Sequence, residues 1–261
     1  MFEALHDEFE GELYFKNTTT DKALKKVYST DASVYQEEPL AVAIPKTLGD
    51  IKKLIEWANK APFQGLGVTL IPRAAGTSLA GQVVGSGIVV DISKNFTNIL
   101  EVNQAEKWVR VQSGVIRDDL NAYLKPYGLM FGPETSTSSR AMIGGMIGNN
   151  SCGLHSIIWG ATRDNLLEVK AFLADGSEVI FGDLSLEKIK EKASLQTLEG
   201  KIYKNLQDLL NNPENQKAIK EGFPKANVKR RNTGYALDAL LDVEQINLAK
   251  LIAGSEGTLC F

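Results

Sequence analysis

Two cysteines and two histidines are all that a chain of 261 residues offers of either type, and this scarcity excludes several kinds of chemistry. Cys152 and Cys260 cannot build a disulfide framework. With His6 and His155 the supply of metal ligands is thin. Cys152 and His155 stand at Cys-x-x-His spacing, but one ligand pair defines no metal centre, and no metal is expected. Positive charge is not in surplus either. Against 32 acidic residues there are 29 Lys and Arg, for a formal net charge of -3, so neither nucleic acid nor an anionic membrane surface is an expected partner. No apolar run approaches the roughly 20 residues that cross a bilayer. The opening MFEALHDEFEGELYF carries acids where a signal peptide would be basic. The expectation is a cytoplasmic protein without a membrane span.

Apolar residues make up 43% of the chain, enough for one large or two small packed domains. Residues 1–38 are polar and read as a lead-in segment. Regular architecture is expected from LAVAIP, a short strand closed by Pro45. Thr47 followed by Asp50 resembles a capping box, and Leu48, Ile51, Leu54, Ile55 and Ala58 recur at helical spacing. GLGVTLIP and GIVVDIS read as two buried strands, which completes a β-α-β-loop-β unit over about 40–93. NILEVN and KWVRVQSG suggest a strand pair, and IRDDLNAYLKPYG an amphipathic helix. Asp175-Gly176 lies at the centre of two β-like runs, a strong hairpin signal. Residues 183–222 read as charged helices. No repeat or heptad array is present. The final LIAGSEGTLCF ends on apolar residues, which suggests a fragment of a longer chain.

Two glycine-rich stretches stand out. In PRAAGTSLAGQ, residues 72–82, Gly76 and its small neighbours let the main chain approach a ligand closely. Successive amides there can form an anion-binding concavity, to which Thr77 and Ser78 add hydroxyls. A tight strand connection uses the same residue types, so both readings stand on this segment alone. It is not a P-loop, because no Gly-Lys-Ser/Thr follows, and it is not a G-x-G-x-x-G fingerprint opening a helix. It does not match G-x-S-x-G, and two histidines leave little for a triad. The second stretch, 131–160, holds six glycines around a Thr/Ser cluster. Taken alone, its IGGMIG also reads as close helix packing.

In order and separation, PRAAGTSLAGQ, GPETSTSSRAMIGGMIGNNSCG, WGATRDNLLEVKAFLADG and AGSEGTL resemble the FAD-binding domain of the vanillyl-alcohol oxidase and p-cresol methylhydroxylase superfamily. The nearest branch is the D-lactate dehydrogenase and glycolate oxidase flavoprotein group. The likeness covers about 30–261. It implies an α+β, two-subdomain fold: a small β-α-β-β subdomain at about 39–105, then a larger mixed α+β subdomain at about 106–261, with a substrate cap expected beyond 261.

By the same resemblance, Arg73, Gly76, Thr77, Ser78 and Leu79 would hold the FAD pyrophosphate. Pro133, Glu134, Thr135, Thr137, Gly144, Gly145, Asn149, Asn150, Ser151 and Gly153 would run past the flavin and ribityl chain. The main chain of Val169 would meet the adenine, and Gly254, Glu256 and Gly257 would form a terminal contacting turn. For Glu256 a solvated loop acid is the other reading. Thr77 stands near the position where covalent members carry a histidine, so FAD is expected to be held noncovalently, and a flavin thioether at Cys152 is not expected. No catalytic residue is assigned, since the family's base follows GSEGTL. His6 and His155 read as packed or solvent-facing. Arg230 and Arg231 read either as a carboxylate clamp or as a solvated basic turn.

The implied activity of the longer parent is oxidation of a D-2-hydroxy acid, of D-lactate or glycolate type, by hydride transfer to FAD, with electrons passing to a separate acceptor. The fragment alone is expected to be inactive. Two alternatives remain open: a noncatalytic nucleotide-binding module on the same scaffold, and a flavin enzyme like UDP-N-acetylenolpyruvoylglucosamine reductase.

Overall fold

The computed structural model describes residues 2–60, 68–225, 227, 228, 230, 231 and 234–261. The chain divides into two compact units, Met1–Phe131 with Ser136–Gly145, and Gly132–Thr135 with Met146–Phe261. The sequence reading places a division near 105; the observed division falls later, within the second glycine-rich stretch.

The first unit begins with α1 (Glu3–Glu8), β1 (Glu12–Tyr14) and α2 (Thr19–Val27), all inside the segment read from sequence as a lead-in. That expectation needs correcting, because β1 is part of the main sheet and pairs antiparallel with β2 (Ala41–Ile44) through Leu13↔Ala43. Its three residues expose little pattern: Leu13 alone is buried, between half-buried Glu12 and Tyr14. A strand this short gives sequence periodicity almost nothing to detect.

The expected β-α-β-loop-β unit is present. β2 leads to α3 (Leu48–Lys60), then to β3 (Leu70–Arg73) and β4 (Ile88–Asp91), in a sheet of order β1-β2-β4-β3 whose last two pairings are parallel. β2 and β4 are buried throughout, as central strands covered on both faces must be. β3 differs from its expected burial. It is a half-buried edge strand, where Pro72 can forgo a ladder hydrogen bond. Of the predicted strand GLGVTLIP, residues 65–67 lie outside the described residues.

Asp50 carries out the predicted capping and more. Its amide donates to Thr47 Oγ1 at 3.2 Å, and its carboxylate accepts from the amides of Glu10, Gly11, Lys46 and Thr47. The side chain is fully buried, so these donors replace water around the charge and fasten the β1 approach to the start of α3. β5 (Ile99–Asn103) and β6 (Trp108–Val111) pair antiparallel as expected, and α4 (Arg117–Leu124) follows.

The chain passes between units within α5 (Ile143–Asn149). The second unit then carries α6 (Ser156–Trp159) and the predicted hairpin, β7 (Val169–Phe172) with β8 (Glu178–Phe181), whose Gly176 sits at φ +83°. β9 (Asp183–Ser185), α7 (Leu186–Ala193), α8 (Leu198–Asn211) and α9 (Pro213–Gly222) come next, then β10 (Gln245–Asn247), paired with β9, and α10 (Ala249–Ile252). One apolar core joins the hairpin to these helices through Phe181, Ile189, Tyr203, Leu206, Ile246 and Ala249. Among the described residues no helix is long and apolar enough to cross a membrane.

Candidate cofactor site

In open sheets with parallel strands, ligands gather outside the carboxyl ends of the strands. Residues 74–87 leave the carboxyl end of β3 and return to the start of β4 without regular structure. Parallel neighbours are more often joined by a helix. Here the connection is bare backbone, half-buried from Ala74 to Ser78. Among the described residues, no amide from Ala74 to Leu79 donates a hydrogen bond. Such a row of half-buried donors without acceptors is costly unless an external acceptor meets it.

Arg73 sits beneath this row. Its Nη1 donates to the carbonyl of Thr30 at 2.8 Å, and the guanidinium lies over the Tyr28 ring, 5.2 Å from the centroid. Burial pulls its pKa below the ordinary arginine value. Its other donors reach no acceptor among the described residues. Gly76 has φ +65°, and a Cβ built there would stand 2.6 Å from Arg73 Nη2. A side chain there would strain the backbone and displace the end of Arg73, which favours glycine. Thr77 and Ser78 are half-buried, whereas the Leu79 side chain is 79% exposed. A segment of the supposed lead-in walls the loop: besides Tyr28 and Thr30, Tyr35 packs against Gly81.

The same unit holds the first part of the second glycine-rich stretch. The Thr137 carbonyl accepts from the amides of Arg140 and Ala141. Gly144 donates to the Ser113 carbonyl at 2.8 Å, and a Cβ on it would stand 2.6 Å from Ser113 Cβ. Gly145 lies beside Ala74, at the root of the first loop. Both glycines belong to α5, so close packing is one of their roles.

The second unit gathers most of the remaining predicted residues. Gly254 donates to the Ile147 carbonyl at 3.0 Å and Glu256 to that of Gly148 at 2.9 Å, which seats the terminal turn on the end of α5. Gly254, Glu256 and Gly257 all have positive φ, as has Asn150. Asn150 is fully buried, and its Oδ1 accepts from the Arg163 amide at 2.8 Å. Asn149 Nδ2 donates to Ser151 Oγ at 3.0 Å. Pro133 is buried, Thr135 is half-buried, and Gly153 packs against the Glu134 main chain. Glu134 Oε1 accepts from the His155 amide and lies 2.7 Å from its Nδ1, while the exposed imidazole packs at a tilt against Trp159. Val169 stands apart from this group, with its main chain paired in the hairpin and its side chain on the apolar core.

Arg163, a buried residue to which the sequence reading gave no role, organises this group. Its guanidinium donates to the carbonyls of Gly234, Lys250 and Ala253. In return Lys250 Nζ donates to the carbonyls of Arg163 and Leu166. Burial holds both cations below their usual pKa values. The available signal is a lone basic residue in an otherwise small and polar stretch with one acid, GATRDN. Arg231 does not offer a free clamp: it donates to Asp238 Oδ2 at 2.6 Å, and Arg230 donates to Cys152 Sγ at 3.2 Å. Lys229, Asn232 and Thr233 of that segment lie outside the described residues. No cluster of three His, Cys, Asp or Glu side chains able to hold a metal occurs among the described residues.

The chain is similar to known proteins in sequence and in fold. The chain is 40% identical over 247 residues to a D-2-hydroxyglutarate dehydrogenase of Pantoea ananatis, an alignment covering 94% of this chain and 24% of that protein. It is 33% identical over 147 residues to a mitochondrial D-lactate dehydrogenase [cytochrome] of Kluyveromyces lactis, covering 55% of this chain and 24% of the relative. The chain thus spans about a quarter of the length of the D-2-hydroxyglutarate dehydrogenase. In fold it is similar to the Physcomitrella patens BBE-like 1 protein, with a TM-score of 0.58 at 21% identity over 70% of this chain and 38% of that one. The family model described as an FAD binding domain matches residues 39–182, from the first buried strand to the end of the hairpin, and the chain belongs to that family.

Proposed function

We propose that this chain holds the FAD of a dehydrogenase that oxidises a D-2-hydroxy acid. The observation that carries the reading is the row of amides from Ala74 to Leu79 that meets no acceptor among the described residues, above a half-buried guanidinium with donors to spare there. A diphosphate supplies the acceptors and negative charge that such a cradle lacks. Arg73, Gly76, Thr77, Ser78 and Leu79 would hold that diphosphate. The stretch from Pro133 to Gly153 and the turn Gly254, Glu256 and Gly257 would serve the rest of the cofactor, with Val169 contributing main chain. When bound, FAD supplies the two-electron acceptor for hydride removal from a carbinol carbon; the protein supplies binding, orientation and the exclusion of water. With a threonine at position 77, attachment is noncovalent.

The relatives named for D-2-hydroxyglutarate and D-lactate support a small 2-hydroxy acid as substrate. The test has two arms. The purified chain should take up FAD, read as quenching of flavin fluorescence, and acid precipitation should release the flavin intact. The protein as its gene encodes it should bleach anaerobically with D-2-hydroxyglutarate, D-lactate or glycolate. Uptake without bleaching by any of them would favour a noncatalytic nucleotide-binding module, and no uptake at all would overturn the reading.

A further inference from the structure

Arg73 and Asp91 are register partners on the neighbouring parallel strands β3 and β4, so their side chains leave the sheet on the same face. Opposite charges in such positions ordinarily pair. Among the described residues these two form no ion pair. Tyr28 contacts both side chains. Its hydroxyl donates to Asp91 Oδ2 at 2.5 Å, and its ring carries the Arg73 guanidinium on one face. Asp91 is buried, and its other oxygen accepts from the Ser93 amide at 2.7 Å. The carboxylate is therefore satisfied without the arginine. Asp31 adds a second negative charge felt by the guanidinium and accepts from the Ser33 amide.

We propose that Tyr28 is a positioning residue for the 74–79 loop: it keeps the Arg73–Asp91 pair open, so that the remaining guanidinium donors stay free for a diphosphate. Its hydroxyl occupies the carboxylate and its ring occupies the flank of the cation. If the two charges closed on each other, the guanidinium would be neutralised and its planar fork consumed. The inference rests on the cofactor reading given above.

The test is a double-mutant cycle on the full chain, read as the dissociation constants of ADP, a probe with the diphosphate and no flavin, and of FAD at low salt. Tyr28→Phe keeps the ring and removes the hydroxyl, so affinity for both should fall about tenfold. Asp91→Asn in that background removes the competing charge and should restore affinity to within about twofold. Asp91→Asn alone should bind as well as the unaltered chain or better, because its amide oxygen still accepts from Ser93. A Tyr28→Phe chain that binds like the parent, or a double variant no tighter than Tyr28→Phe, would overturn the proposal. So would weakened binding in Asp91→Asn alone. A ligand-free crystal structure of Tyr28→Phe gives a readout independent of binding: Arg73 and Asp91 should close to ion-pair distance, and an unchanged separation would overturn the inference. An unaltered chain that takes up neither probe would sink the cofactor reading itself, and the crystal structure would still report whether Tyr28 holds the charges apart.

Discussion

The guanidinium of Arg163 donates to the carbonyl of Ala253, 90 residues further along the chain. Ala253 immediately precedes Gly254, so this buried cation anchors the turn seated on the end of α5. Arg163→Ala would leave the carbonyls of Gly234, Lys250 and Ala253 short of a donor. The expected loss is about 3 kcal/mol, since each hydrogen bond from a charged donor is worth roughly 1.5–3 kcal/mol. Arg163→Lys keeps the charge but loses the fork and should fall between. Urea unfolding of the three chains measures the order, and equal stability would refute the anchoring role.

Gly76 and Gly128 share a left-handed backbone, at φ +65° and +67°, but not their surroundings: a Cβ on Gly128 meets nothing within 4 Å. Gly128→Ala should cost only the backbone penalty, about 1–2 kcal/mol of stability, and leave FAD affinity unchanged. Gly76→Ala adds a collision with Arg73 and should weaken FAD binding by about tenfold or more, equivalent to roughly 1.4 kcal/mol. Fluorescence titration of both variants makes the comparison.

Asp50→Ala removes the acceptor of four amides from two separate segments. We expect a loss of about 2–4 kcal/mol, the combined effect of a missing cap and stranded donors. Asp50→Asn should lose less, because one acceptor oxygen remains. Amide hydrogen exchange at Glu10 and Gly11 should accelerate in both variants, and unchanged protection there would contradict the assigned role.

Burial pushes the Cys260 thiol from about 9 up to about 11. Because the thiolate is the reactive form, alkylation of Cys260 at pH 8 should be about a hundredfold slower in the folded chain than in denaturant. The sign for stability follows from linkage. Below about pH 9 the thiol is neutral in both states and its contribution is intact; as pH rises towards 11 the unfolded chain ionises first and stability declines. Cys260→Ser should flatten that alkaline decline, as measured by unfolding at stepped pH.

The β2-α3-β3-β4 unit, the Thr47–Asp50 cap and the turn at Asp175-Gly176 were legible because each is written in adjacent residues: an apolar period, a side chain three positions from its amide, a dipeptide that tolerates positive φ. The glycine-rich loops were legible as places where backbone is left bare. The partners of that backbone were not. Arg73 meets Thr30 across 43 positions, Tyr28 meets Asp91 across 63, and Arg163 meets Ala253 across 90. Local pattern carries no record of such distances, and the polar character of residues 1–38 concealed a strand and the wall of a loop. The sequence by itself determined where the chain turns, caps and uncovers its amides, since those depend on neighbouring side chains and backbone angles. Tertiary structure alone decided which buried charges stay apart and which carbonyls they hold, because desolvation and charge pairing depend on proximity in space.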